Sequence, residues 1–270
     1  MKILFLTLLL LYQLPAWAKI DYNKIDQYAY EAPVLKDAHK LSQLVRHLVR
    51  PYKTDEEKAR VILAWIVHNI DYDEYKLNAL TDSLDRTKKR NKELVITQND
   101  ILETRMGVCE DIATLYQQMG NLAGLDVVLI RGKTKDENTT FAEFENSVDH
   151  VWNAVKIDRE WEYVDPTWAI GGQQINQLGD VEKKREYEKI IRQRERRNSD
   201  VKQPREGRVV NDAWFLTNKD EMIKTHFPFN EKWQLQKEKI TIEEFLNFAD
   251  KKEYQKAHRE LRMKRKEKTK

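Results

Sequence analysis

The sequence predicts an α+β fold, and three observations carry that prediction. A capping-box signal opens a helical stretch at 54–73, and a second stripe of helical spacing follows the single cysteine, Cys109. Two short apolar runs, HVWNAVKI (150–157) and EWEYVD (160–165), are separated only by Asp158-Arg159, the pattern of an antiparallel hairpin.

In chain order, the first eighteen residues, MKILFLTLLLLYQLPAWA, have the layout of a secretory signal peptide. Lys2 gives a positive start, Ile3 to Leu11 an apolar run, Pro15 a break, and Ala16-Trp17-Ala18 a small-x-small cleavage site. The run is well short of the roughly 20 residues of a membrane span. The expectation is export to a periplasmic or extracellular compartment with cleavage after Ala18; an uncleaved N-terminal anchor is the alternative. The folded domain is expected over 19–250.

TDEEKARVILAWIVHNIDYD (54–73) places Thr54 as cap and Glu57 at the third helical position, and Ile62, Trp65, Ile66 and Asn69 follow as one face of an amphipathic helix. Residues 76–93 read as a polar loop or exposed helix. Behind Cys109, the residues Ile112, Leu115, Tyr116, Met119, Leu122 and Ala123 form one stripe, stopped by Gly124. VVLIRG (127–132) is a short buried strand and 133–147 a polar connection. In the hairpin, pairing Ile157 with Glu160 sets partner numbers to sum to 317 and puts His150 diagonally across from Asp165 on one face. A sum of 315 makes them direct partners, and an even sum separates them. The charge-dense, aromatic-poor segment 180–208 reads as an exposed insertion, because 213–245 returns to a core-like, aromatic-rich composition. Residues 251–270 form a basic tail.

Composition narrows the chemistry. Charged residues make up 34% of the 270, yet the net charge is only +3, so the chain as a whole is not a polyanion binder. With one Cys, an exported chain makes no internal disulfide, and its thiol is inert, paired with another molecule, or kept free to react. A lone cysteine is most often a small buried hydrophobe. This one, however, stands where a helix begins, among unpaired N–H groups at the positive end of the dipole. An ordinary thiol titrates near ~8.5, and such positions, or a neighbouring imidazolium, lower that to roughly 3.5–7.5. Gly107 is expected to let the backbone turn into place. The same N–H groups suit a tetrahedral oxyanion. His150 and Asp165, brought together by the register, supply a base and its orienter, the logic of nucleophilic acyl transfer. Their ordinary readings are a core histidine and a residue that starts a turn before Pro166.

GVCEDIATLYQQMGNLAGL followed by DHVWNAVKIDREWEYVDPTW closely resembles the core of the transglutaminase-like superfamily, in which G-V-C precedes a helix and H-x-W-N precedes W-x-x-V-D-P-T-W. HFPFNEKWQLQKEKITIEEF (226–245) is similar to the trailing segment of its kyphoscoliosis-peptidase branch. The resemblance implies a papain/transglutaminase-like core, with a nucleophile-bearing helix packed on an antiparallel β-sheet. It implies Cys109 as nucleophile, His150 as base and then acid, and Asp165 as orienter, with Trp152 and Trp168 as aromatics that pack near or line the cleft. Gln98 is a candidate oxyanion donor, though it lies further from the cysteine than in papain-type enzymes. No cofactor or metal is expected: the chain has neither an EF-hand-like acidic loop nor paired zinc cysteines.

Three functions fit these residues. The first is a cysteine hydrolase of peptide or isopeptide bonds acting through a thioester. The second is a transglutaminase-type acyl transferase in which an amine replaces water. The third is a non-catalytic scaffold that keeps the fold to bind a partner. The expected partner is a protein or peptide substrate. The basic tail is a candidate contact with an anionic membrane or cell-envelope surface, and nucleic acid is not expected.

Overall fold

In the computed structural model, the described residues are 20–32, 41–73, 76–77, 101–102, 104–135, 149–170 and 208–246. The signal segment 1–18, Gln98, all of the 180–208 insertion except Arg208, and the 251–270 tail lie outside them.

Among the described residues, three helices come first: α1 (Tyr22–Glu31), α2 (Leu41–Val49) and α3 (Asp55–Asn69). The capping box of α3 is complete, with the Glu57 N–H donating to Thr54 Oγ1 at 3.2 Å and the Thr54 N–H to Glu57 Oε2 at 3.0 Å. The helix itself departs from the expected one-sided amphipathic pattern: every residue from Ala59 to Asn69 is buried. The reason is tertiary. Helices α1 and α2, which the sequence reading did not anticipate, cover the side of α3 that would otherwise face water. Two of its buried polar residues, Arg60 and Asn69, are paired internally. The Arg60 guanidinium bonds Asp26 at 2.6 and 2.8 Å, and Asn69 Nδ2 donates to the Trp65 carbonyl at 2.9 Å.

After α3, the short strand β1 (Asp71–Tyr72) runs parallel to β2 (Met106–Gly107). The Asp71 and Asp73 N–H groups donate to the carbonyls of Arg105 and Gly107 at 2.9 and 3.0 Å. The ladder pins the turn that launches α4 (Cys109–Leu122). Gly107 is needed there for space rather than for a left-handed turn. A Cβ built on it would lie 2.8 Å from both Asp111 Cβ and Ile101 Cδ1. The left-handed residue of this turn is Arg105, at φ 61°. At the other end, Gly124 stops α4 as read from the sequence, with φ 82°.

Strands β3 (Val127–Thr134), β4 (His150–Ile157) and β5 (Glu160–Val164) form the centre of a five-stranded antiparallel sheet. Beyond β5 come the single-turn α5 (Pro166–Ala169), β6 (Phe215–Thr217), α6 (Lys219–Thr225), β7 (His226–Pro228) and α7 (Ile242–Leu246). The sheet order is β6-β5-β4-β3-β7. β3 is longer than the expected 127–132. Its last residues, Lys133 and Thr134, are held by pairing with Phe227 and His226 of β7, a partner that local sequence does not announce. Gly132 faces Pro228 there, where a Cβ would meet the Phe227 carbonyl oxygen at 2.1 Å. The hairpin adopts the register in which Ile157 faces Glu160.

α4 packs on β3 and β4 on one side and on α3 on the other. Ile62, Ile66, Ile112, Leu115, Met119, Val155 and Val164 fill this interface. Asn153 Nδ2 reaches from β4 to the α4 carbonyl of Ala113 at 3.1 Å. A second cluster, with Ile130, Trp152, Ala154, Tyr163 and Met222, includes the alternate β4 positions. The architecture is the expected α+β one: a helix that begins with the cysteine, laid on an antiparallel sheet.

Candidate active site

Cys109 is the first residue of α4 and is 8% exposed. The Val108 N–H donates to Asp111 Oδ2 at 2.9 Å, and Lys76 Nζ meets the same oxygen at 2.6 Å. Asp111 thus closes the helix start from within, while Lys76 compensates its charge. The first-turn N–H groups of an α-helix have no partners inside the helix, and those at Cys109 sit beside its sulfur.

His150 opens β4, and Asp165 directly follows β5. The last ladder pair is Asn153 with Val164, so Asp165 is aligned with Trp152 and is the diagonal neighbour of His150. His150 Nε2 lies 2.7 Å from Asp165 Oδ2, with both groups buried. Burial alone would lower the His150 pKa. The Asp165 carboxylate, through charge and hydrogen bond, and the Cys109 side chain more than offset it and raise the pKa to about 10. Asp165 is held well below the usual carboxylate range: burial opposes ionisation, but His150 and a second histidine, His226, favour it more strongly. The arrangement at pH 7 is an imidazolium between a carboxylate and the cysteine side chain. With Nε2 committed to Asp165, Nδ1 is the ring nitrogen left for the sulfur.

Asp165 also caps α5, since its Oδ1 accepts the Trp168 N–H at 2.9 Å. The turn-starting reading and the orienter geometry are therefore both present, one on each oxygen.

The aromatics divide. Trp152 is fully buried and stacks beside His150, with ring centroids 5.9 Å apart and planes 18° apart. It floors the imidazole instead of lining an open cleft. Trp168 is half-buried, 5.9 Å from the His150 ring and edge-on to Trp214 at 4.5 Å. At the rim, Arg131 and Glu110, each about half exposed, pair across the start of α4.

The residue that sequence reasoning missed is His226, the first of β7. Its Nε2 lies 3.0 Å from the same Asp165 Oδ2, and its Nδ1 lies 2.8 Å from Thr225 Oγ1. Burial lowers its pKa to about 4 despite the opposing pull of Asp165, so the ring is neutral at pH 7. In the sequence it stands only as the first residue of the HFPFNEKWQLQKEKITIEEF segment within the core-like stretch 213–245, with no role assigned to it. Among the described residues, His150, Asp165 and His226 are also the one group with metal-type ligand atoms gathered together, within 4.8 Å of one another. The 2.7 and 3.0 Å separations are hydrogen-bond lengths, and a metal there would take away the imidazole that faces Cys109.

The family model of the transglutaminase-like superfamily matches residues 42–166. Human kyphoscoliosis peptidase is 28% identical over 228 residues, covering 84% of this chain and 28% of that protein. Drosophila melanogaster hillarin is 27% identical over 238 residues, covering 84% of this chain and 24% of its own length. This chain thus spans only about a quarter of the length of these relatives. Among solved structures, the periplasmic domain of TgpA from Pseudomonas aeruginosa superposes with a TM-score of 0.37 and 17% identity, covering 59% of this chain and 52% of that one. A TGase superposes with a TM-score of 0.36 at 17% identity, covering 58% and 35%.

Proposed function

We propose that this chain, whose residues 42–166 match the family model of the transglutaminase-like superfamily, is a cysteine hydrolase of peptide or isopeptide bonds. The observation that supports this reading most is the 2.7 Å bond from His150 Nε2 to Asp165, made by an imidazole whose charge is also favoured by the Cys109 side chain. An imidazole so placed can exchange a proton with the attacking sulfur and with the leaving group.

In the proposed reaction the Cys109 sulfur adds to the scissile carbonyl, and first-turn N–H groups of α4 take the oxyanion. The tetrahedral intermediate collapses as the C–N bond breaks, and His150 gives its proton to the leaving amine. What remains is a thioester on Cys109 and a neutral imidazole. His150 then takes a proton from water as the oxygen attacks the thioester carbonyl. Collapse of the second intermediate breaks the C–S bond, releases the acid and leaves the Cys109 thiolate beside the protonated His150, the state from which the cycle began. Asp165 stays ionised throughout and holds the ring's orientation. The substrate class is protein or peptide, and the signal-like pattern of residues 1–18 supports export as part of the proposal.

The test is incubation with a glutamine-bearing peptide and a labelled primary amine, followed by mass spectrometry of peptide and protein. Hydrolysis at an amide, an acyl adduct on Cys109 and no label in the peptide are expected, all lost in Cys109→Ala. Label entering the peptide would replace the hydrolase with an acyl transferase. No adduct and no product with this peptide or with a denatured-protein substrate would leave the binding scaffold.

A further inference from the structure

We infer that His226 is a positioning residue of this site: a second imidazole, donating to the same carboxylate oxygen as His150, that locks Asp165 and through it the ring facing Cys109. Its functional meaning rests on the hydrolase reading above.

Three N–H groups converge on Asp165. Oδ1 accepts from the Trp168 backbone at 2.9 Å, while Oδ2 contacts His150 Nε2 at 2.7 Å and His226 Nε2 at 3.0 Å. With only the first two, the carboxylate would be fixed at one oxygen by backbone and at the other by the ring it is supposed to orient. His226 adds an anchor that belongs to neither. It stands on β7, whose backbone pairs His226 with Thr134 of β3, so its position is set by the sheet and not by the chemistry.

The proton on His226 is also assigned. Thr225 Oγ1 lies 2.8 Å from Nδ1 and 3.3 Å from the Met222 carbonyl. The hydroxyl has one proton, and giving it to the nearer Nδ1 leaves Nε2 as the protonated nitrogen, facing Asp165. The ring is 1% exposed and is packed against Trp168, Trp152 and Trp214 with centroids at 4.5, 5.0 and 5.4 Å. It has little room to flip. A buried carboxylate with one oxygen shared between two histidines, only one of them near the sulfur, is more than a turn cap requires. Thr225, His226, Asp165 and His150 form a directional chain that ends at Cys109.

The experiment compares iodoacetamide alkylation of Cys109 at about pH 6 and about pH 9 in the full chain and three variants, each shown folded by near-ultraviolet circular dichroism. His226→Phe keeps a ring and removes both nitrogens. His226→Gln keeps an N–H donor of similar reach. Thr225→Val keeps shape and removes the hydroxyl. His226→Phe is expected to slow alkylation about tenfold or more at the lower pH while changing it little at the higher, where any thiol is ionised. Thr225→Val is expected to show a smaller loss of the same kind, and His226→Gln to return to within about threefold of the parent. A merely structural role would lower stability without moving this ratio. A folded His226→Phe with the parent ratio overturns the inference and leaves the hydrolase reading standing. A parent that itself alkylates only as an ordinary thiol overturns the hydrolase reading, an outcome seen without any variant. If His226→Phe does not fold, a Thr225→Val protein indistinguishable from the parent overturns the inference.

Discussion

Asp165 carries two duties on two oxygens. Oδ1 caps α5 through the Trp168 N–H, and Oδ2 takes the histidines. Replacement by Asn keeps the cap acceptor but offers an amide where a carboxylate met an imidazolium. Turnover in Asp165→Asn is therefore expected to fall by about 10²–10⁴-fold with little change in KM, measured by steady-state kinetics on the peptide above. At this scale the sequence was legible wherever motif and strand parity act together. Cys109 is marked by its place before a helical stripe. His150 and Asp165 are brought to one face by the pairing of Ile157 with Glu160. His226 was not legible, because it reaches Asp165 from β7 across a distance of 61 residues, and no local period encodes which edge of the sheet β7 joins.

Elements were legible at their ends more than in their surroundings. Thr54 and Glu57 announce the start of α3, and the bonds they make there are the ones the capping box requires. Thr54→Ala is expected to lower stability by about 1 kcal/mol in urea denaturation, without altering Cys109 reactivity. That α3 is buried all round could not be read from its own spacing, since burial depends on α1 and α2. Gly107 was legible as necessary and wrongly explained. Its constraint is the lack of space beside Asp111, whose Cβ belongs to the helix that carries the sulfur. Gly107→Ala is expected to cost about 1–3 kcal/mol through this overpacking, and to slow alkylation of Cys109 by displacing the start of α4; both are measurable on one purified variant.

For the whole molecule, buried histidines set the pH range of stability. His226, with a folded pKa near 4, refuses a proton that the unfolded chain accepts below about 6.5. His68, buried against Tyr30, is shifted down in the same sense, chiefly by burial and against the pull of Asp26. Stability is thus expected to fall as pH drops from 6.5 towards 4, by at most about 1.4 kcal/mol per pH unit for each such group. His150 acts at the other end. Its raised pKa stabilises the fold fully below about 6.5, and that contribution disappears as pH climbs through about 10. Asp165, shifted down, stabilises above the ordinary carboxylate range and is lost only in stronger acid. Urea denaturation at pH 5 and 7 checks the acid limb, and His226→Gln is expected to flatten it by about one proton's slope. Among the described residues, no helix is long and apolar enough to cross a membrane.

The most direct measurement is the rate of iodoacetamide alkylation of Cys109 across pH 5 to 10 in the parent chain and in His150→Ala, followed by the mass of the cysteine-bearing peptide. If His150 serves the sulfur as its base, alkylation at the lower pH values is expected to be about tenfold or more faster in the parent than in His150→Ala. One shared ordinary-thiol curve for both proteins, or a Cys109 that resists alkylation at every pH, would contradict a nucleophile at this position.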